Sequence, residues 1–251
     1  MPGMNVSHHR RLACGAGAAV AAAAGYWVPA AAVVSGPLRR LLGVRATIER
    51  EDAVALTFDD GPHPEGTPAV LAALERVGAP ATFFLVGEQV ERWPALAAEI
   101  VAAGHQVGVH CHRHRNLMRL TPTQVRNDLL HATELIASAT GREPLHYRPP
   151  YGILTTPALA VARRMGWEVV LWRRDGHDWE RRATADSIVE RILHRLAPGD
   201  VVLLHDADHY SAPQSWRRTA AALDPLLSAL MERGLTPESL SQPVAGRGGA
   251  V

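Results

Sequence analysis

The sequence predicts an α/β fold in which parallel strands are joined by helices. Two observations predict it. Between residues 53 and 238, short apolar runs alternate with amphipathic stretches of helical length, and strands separated by helices pair in parallel through right-handed crossovers. Most of the apolar runs then end in a cluster of polar residues, and in such folds the strand C-termini open on one common face. A (β/α) barrel and an open doubly wound sheet both satisfy this pattern, and 251 residues suffice for one such domain.

The expected strands are Val54–Phe58, Ala81–Leu85, Gln106–Val109, His146–Arg148, Glu168–Trp172 and Asp200–Leu204. Each is short and apolar, as strands covered on both faces are. The expected helices are Pro68–Val77, Pro94–Ala103, Thr123–Ala139, Pro157–Met165, Ala185–Leu196 and Ser215–Arg233. Pro94, Pro122 and Pro157 stand near first turns, where a missing N–H costs nothing. Gly78, Gly104, Gly141, Gly166 and Gly234 stand where the helices should stop.

Ahead of this domain, His8-His9-Arg10-Arg11 precedes a stretch from Leu12 to Val34 without a charged residue, and Ala30-Ala31-Ala32 offers small residues for cleavage. The pattern reads as a signal peptide or membrane anchor over residues 1–36, followed by a linker over 37–52, a catalytic domain over 53–238 and a flexible tail over 239–251. It places the domain outside the cell, secreted or anchored to the outer face of the cytoplasmic membrane. With a net charge of +1 and no Lys/Arg block longer than two residues, nothing argues for nucleic acid, and none is expected as a partner. No protein partner is implied. Cys14 lies in the leader and Cys111 in the domain, so no disulfide framework is expected.

Chemistry concentrates at the strand ends. Asp59-Asp60 follows the first strand, His110-Cys111-His112-Arg113-His114 the third, Arg148-Pro149-Pro150-Tyr151-Gly152 the fourth, Asp175-Gly176-His177-Asp178-Trp179 the fifth and His205-Asp206 the sixth. Adjacent acids repel, which a metal ion or a division into ligand and base would justify. His110 and His114 with one carboxylate make a two-histidine, one-aspartate set with open positions, the pattern of a catalytic zinc site, although cobalt, nickel or iron also suit it. His112 is a competing ligand. The other aspartate is then placed to act as a base, Arg148 to pair with it, and His205 to donate a proton with Asp175 or Asp178 behind it. Plain structural readings exist for each: exposed loop histidines, an ordinary buried ion pair at Arg148, a loop cap at His205-Asp206. Of the tryptophans, Trp172 reads as core and Trp216 as cleft rim, and the loop from Asp206 to Ser215 is expected to shape the cleft.

These five clusters, in this order, resemble the motifs of NodB-like polysaccharide deacetylases, carbohydrate esterase family 4, over about Val54 to Leu235. The resemblance implies a distorted (β/α) barrel and a divalent metal, usually zinc, held by Asp60, His110 and His114. It implies Asp59 as general base oriented by Arg148, and His205 as general acid tuned by Asp178. It implies a Tyr151 main-chain N–H for the oxyanion, and Trp179 and Leu203 around the acetyl methyl group. The activity implied is removal of acetyl from an N-acetylated amino sugar of a glycan. O-acetyl esterase action on acetylated polysaccharide and a catalytically weak glycan-binding protein are the alternatives. Two departures stand out: Cys111 occupies the usual Ser/Thr place after the first metal histidine, and Val109 the usual Asn place before it. The thiol is a weaker donor and would put a metal-seeking, oxidisable group beside the site.

Overall fold

The computed structural model describes residues 35–240, together with Pro29 and Ala30. The strands, in chain order, are β1 (Ala53–Asp59), β2 (Thr82–Leu85), β3 (Gln106–Val109), β4 (His146–Tyr147), β5 (Glu168–Val169), β6 (Arg174–Asp175), β7 (Val201–His205) and β8 (Thr236–Glu238). The helices are α1 (Gly36–Leu42), α2 (Gly66–Glu75), α3 (Gly87–Arg92), α4 (Pro94–Ala102), α5 (Pro122–Thr140), α6 (Thr156–Met165), α7 (Ala185–Leu193) and α8 (Ser215–Glu232). Every strand pairing is parallel, in the order β5-β4-β3-β2-β1-β7-β6, with β8 added to the start of β1. The sheet is curled and open, half a barrel with helices around it.

β1 is central, and all seven of its residues are buried. Its two faces meet different surroundings. Val54, Leu56 and Phe58 join the large core with the helices, whereas Ala53 and Ala55 face a small inner cluster with Phe84, Val170 and Val201. The alternation of side chains along a strand therefore puts Thr57 and Asp59 in the same inward column. Inside, small residues give way to polar ones toward the C-terminal end. Gly108 belongs to this packing, because a Cβ there would sit 2.7 Å from the Phe84 ring.

Most helices lie close to their expected spans, although α2 runs two residues earlier than expected and α7 ends three residues sooner. Thr121 and Gln124 form a reciprocal capping box at the start of α5, and Gly141 ends it at φ 64°. Val125, Leu129, Ala132 and Ile136 supply its buried stripe.

Several expectations are corrected. Residues 37–52 are more than a linker. They carry α1 and then an extended segment, with Val44, Ala46 and Ile48 buried, in which Arg45 pairs with Val170 and Thr47 with Asp200. This segment links the chain just beyond β5 to the start of β7. The expected strand Glu168–Trp172 ends at Val169, because the Val170 and Leu171 carbonyls turn to accept from the Arg148 guanidinium. β6, β8 and α3 are too short for a periodic signal. Among the described residues no helix is long and apolar enough to cross a membrane. Most of the leader, including Cys14, and the tail beyond residue 240 lie outside the described residues.

Candidate active site

The C-terminal strand ends converge on a cavity of about 350 Å³ lined by Asp59, Asp60, His110, His114, Tyr151, Trp172, Trp179, Leu203, His205, Tyr210 and Ser211. The residues that the sequence singled out from five loops thus share one wall system. A hollow of about 450 Å³ lies at the opposite end of the strands, beside His105, Gln106 and His146, far from these groups.

The two aspartates have different surroundings. Asp59, on the inward column of β1, receives a hydrogen bond from Arg148 Nη1 at 2.7 Å. Arg148 is itself fully buried. Its Nη1 also donates to Thr57 Oγ1 at 2.9 Å, its Nε to the Val170 carbonyl at 3.1 Å, and its guanidinium lies 4.2 Å above the Phe84 ring. Burial pushes the Asp59 pKa up, and the Arg148 charge opposes that rise. Asp60 turns out of the strand at φ 80°. Burial, reinforced by the neighbouring Asp59 and Asp206 carboxylates, raises its pKa to about 7.

Asp60, His110 and His114 offer donor atoms all within 4.8 Å of one another. His110 Nε2 lies 3.6 Å and His114 Nε2 3.4 Å from Asp60 Oδ1, too far for good hydrogen bonds. That oxygen is buried and has no hydrogen-bond partner. Donors on a shared tetrahedral ion with bonds of about 2.1 Å stand about 3.4 Å apart. His110 Nδ1 faces the Arg148 carbonyl at 2.8 Å, which makes it the N–H donor and leaves the Nε2 lone pair toward Asp60. Burial lowers both histidine pKa values to about 3, so both rings are neutral, as ligands must be. The residues present fit a divalent ion.

His205 stands opposite Asp59 in the β1–β7 register, so both reach the cavity side by side. Its Nδ1–H donates to Asp178 Oδ1 at 2.9 Å. Asp178 is fully buried, and its Oδ2 accepts from the His205 main-chain N–H and from Thr219 Oγ1, each at 2.7 Å. Burial works against the imidazolium, but the Asp178 charge and hydrogen bond, with Asp60 and Asp59 beyond, raise the His205 pKa to about 10. Asp175, the other partner considered for His205, instead accepts from Trp172 Nε1 at 3.2 Å.

Tyr151, with a positive φ of 58°, is 56 % exposed and presents its ring edge to His114 at 4.5 Å. Trp179 meets His205 edge-on at 5.4 Å, and Leu203 lines the cavity below it. Positive φ at Asp60, Cys111 and Tyr151, none of them glycine, marks three of the site loops as held in sparsely populated conformations.

Other expectations change. His112 is no competing ligand. Its main-chain N–H donates to buried Asp128 at 2.8 Å, and its ring packs on His131 at 4.5 Å. Cys111 is buried with its Sγ 3.8 Å from the Tyr147 hydroxyl, in the core and outside the ligand cluster. Trp172 lines the cavity, whereas Trp216 is buried against His63 at 5.8 Å, away from the rim. Tyr210 and Ser211 were not foreseen individually, although the loop carrying them was. A second group, His63, Asp208 and His209, is equally compact. There, His63 Nδ1 accepts main-chain N–H from Glu65 and Gly66, so its Nε2 carries the proton that faces Asp208 at 3.2 Å. No lone pair is left on His63 for an ion, and the group is a hydrogen-bonded latch.

The curled parallel sheet, the neutral two-histidine, one-carboxylate cluster and the flanking ion pairs define a metal-dependent hydrolase. Residues 47–170 match the polysaccharide deacetylase family model. A chitooligosaccharide deacetylase of Bradyrhizobium sp. (strain ANU 289) is 40% identical over 197 residues, 76% of this chain and 90% of the relative. A peptidoglycan-N-acetylglucosamine deacetylase of Bacillus cereus is 34% identical over 186 residues, 73% of this chain and 84% of the relative. A family 4 carbohydrate esterase from Streptomyces lividans, solved with acetate, superposes with a TM-score of 0.69 at 32% identity, covering 80% of this chain and 98% of that one. The chain belongs to the polysaccharide deacetylase family, carbohydrate esterase family 4, and is a metal-dependent carbohydrate deacetylase.

Proposed function

We propose that the protein hydrolyses the N-acetyl group of an N-acetylglucosamine-type unit in a cell-wall or chitin-like glycan, outside the cytoplasmic membrane. The observation that carries this reading is a pair of buried, ion-paired groups beside one donor cluster: Asp59 held by Arg148, and His205 held by Asp178. Two imidazoles and a carboxylate favour zinc, with cobalt or nickel as substitutes. Asp60, His110 and His114 would hold the ion, which would supply Lewis acidity toward the acetyl carbonyl and a water molecule. Asp59, ion-paired with Arg148, takes the proton of the water that attacks the carbonyl carbon. The Tyr151 main-chain N–H donates to the oxyanion that forms. His205, charged against Asp178, gives its proton to the departing nitrogen as the C–N bond breaks. Water and amide thus become acetate and free amine. Trp179 and Leu203 shape an apolar corner for the methyl group.

The uncharged stretch from Leu12 to Val34 behind His8-His9-Arg10-Arg11 supports export of the domain. The test is acetate release from N-acetylated chito-oligomers, peptidoglycan fragments and O-acetylated xylan, with chelated enzyme and after addition of zinc, cobalt or nickel. Metal-restored release from the amino-sugar substrates is expected. Release from xylan alone would overturn the N-deacetylase reading.

A further inference from the structure

Tyr210, in the loop between β7 and α8, lies against a ligand of the cluster. Its ring stacks on His114 with centroids 4.4 Å apart and planes inclined by 13°. Tyr151 closes the same imidazole edge-on at 4.5 Å, so His114 is packed between two tyrosines. The two histidines are held by different means. His110 Nδ1 donates to the Arg148 carbonyl at 2.8 Å, which fixes its ring plane. His114 Nδ1 is buried and meets no hydrogen-bond acceptor from any other residue. Ligating histidines ordinarily donate that second N–H to an acceptor that sets ring orientation. At His114 aromatic packing takes that place.

Tyr210 is itself locked. Its hydroxyl donates to Glu88 Oε1 at 2.6 Å and accepts from Gln89 Nε2 at 3.0 Å. Both residues open α3, whose first main-chain N–H groups hold the histidine loop: Gly87 donates to the Cys111 carbonyl and Glu88 to the His112 carbonyl, each at 2.9 Å. One short segment therefore grips the ligand loop by its backbone and the stacking ring by its hydroxyl. The loop ends are tied as well, through Ala212 N–H to the Trp179 carbonyl at 3.2 Å and Gln214 N–H to Asp208 at 2.6 Å.

We propose that Tyr210 is a positioning residue for His114: its ring, locked by Glu88 and Gln89, sets the imidazole plane and raises the affinity of the cluster for a divalent ion. This rests on the reading of Asp60, His110 and His114 as the metal centre. The test titrates chelated protein with cobalt(II) in competition with a chromophoric chelator and records the visible cobalt spectrum. Circular dichroism and thermal melts of the metal-free protein verify folding. Tyr210→Ala should weaken cobalt binding about 10- to 100-fold, the usual cost of losing a group that orients a ligand, and change the spectrum. Tyr210→Phe keeps the ring but loses its lock, and should give an intermediate loss. Should Tyr210→Ala not fold, the double variant Glu88→Ala/Gln89→Ala unlocks the ring in place and should give an intermediate loss. Wild-type affinity and spectrum in folded Tyr210→Ala or in the double variant, or Tyr210→Phe as weak as Tyr210→Ala, would overturn the proposal. A wild-type protein that binds no cobalt would overturn the metal centre itself, and the two failures are distinguishable.

Discussion

Replacing Arg148 by methionine tests the interior of the half-barrel most directly. The wild-type guanidinium is fully buried and satisfies Asp59, Thr57 and the Val170 carbonyl, with Phe84 beneath it. Methionine fills similar space but donates nothing. It leaves Asp59 as a buried carboxylate without its counter-charge, a loss of about 3–5 kcal/mol. In a domain of this size that corresponds to roughly 6–20 °C in melting temperature. The pH dependence has a defined sign. Burial already holds the Asp59 pKa above its ordinary 3.8, and removing Arg148 takes away the largest opposing influence. The variant's Asp59 therefore takes up a proton more readily, and its deficit against wild type should shrink as pH falls. The assay is urea unfolding of chelated protein at neutral and mildly acidic pH, with acetate release alongside. Activity at neutral pH should fall by at least about a hundredfold, because a protonated Asp59 is no base. A stability loss under about 1 kcal/mol with activity retained would refute the argument, since no relocated water could replace a guanidinium beside that carboxylate so cheaply.

Asp59→Asn should abolish turnover while cobalt titration still finds a bound ion, and residual activity near wild type would remove Asp59 from the role of base. In Asp178→Asn, His205 loses the charge that raises its pKa to about 10, so the alkaline limb of the pH–rate profile should move to lower pH with a rate loss of at least about tenfold. The same pair has a stability signature: because the folded pKa lies above 6.5, its contribution is complete below that value and disappears as pH rises toward about 10. Urea unfolding across this range should show that loss in wild type and not in Asp178→Asn. Chelation should silence the enzyme and zinc restore it, and zinc at a hundredfold excess over its dissociation constant should add about 2.7 kcal/mol of stability. No change in melting temperature on saturation would contradict a bound ion.

How much was legible in advance varies by element. β1, β3 and α5 announce themselves through apolar runs, a first-turn proline and a terminal glycine, all local features. β6 and β8 each pair along a single neighbour over two or three residues, and so short a segment has no period to read. Trp172 packs against the core as expected and lines the cavity as well, while Trp216, expected at the rim, is buried. Trp172 sits where a strand frays toward Arg148, while Trp216 is covered by His63 and the start of α2. Neither environment is encoded next to the tryptophan concerned. The histidine stagger showed the same limit: His112 lies between His110 and His114 in sequence, yet Asp128, sixteen residues on, holds its main-chain N–H and turns the ring toward His131.

The alternation of the longer strands and helices, the polar clusters that follow strands and the identity of the side chains that gather in the cluster were determined by sequence alone, because apolar runs, helix stops and donor chemistry are properties of neighbouring residues. Which aspartate meets Arg148, which carboxylate charges His205, and that Tyr210 lies on His114 were decided only in three dimensions. Those relations depend on the β1–β7 register, on the inward column of the curled sheet and on the packing of α3, and each joins residues whose separation along the chain carries no trace of their contact.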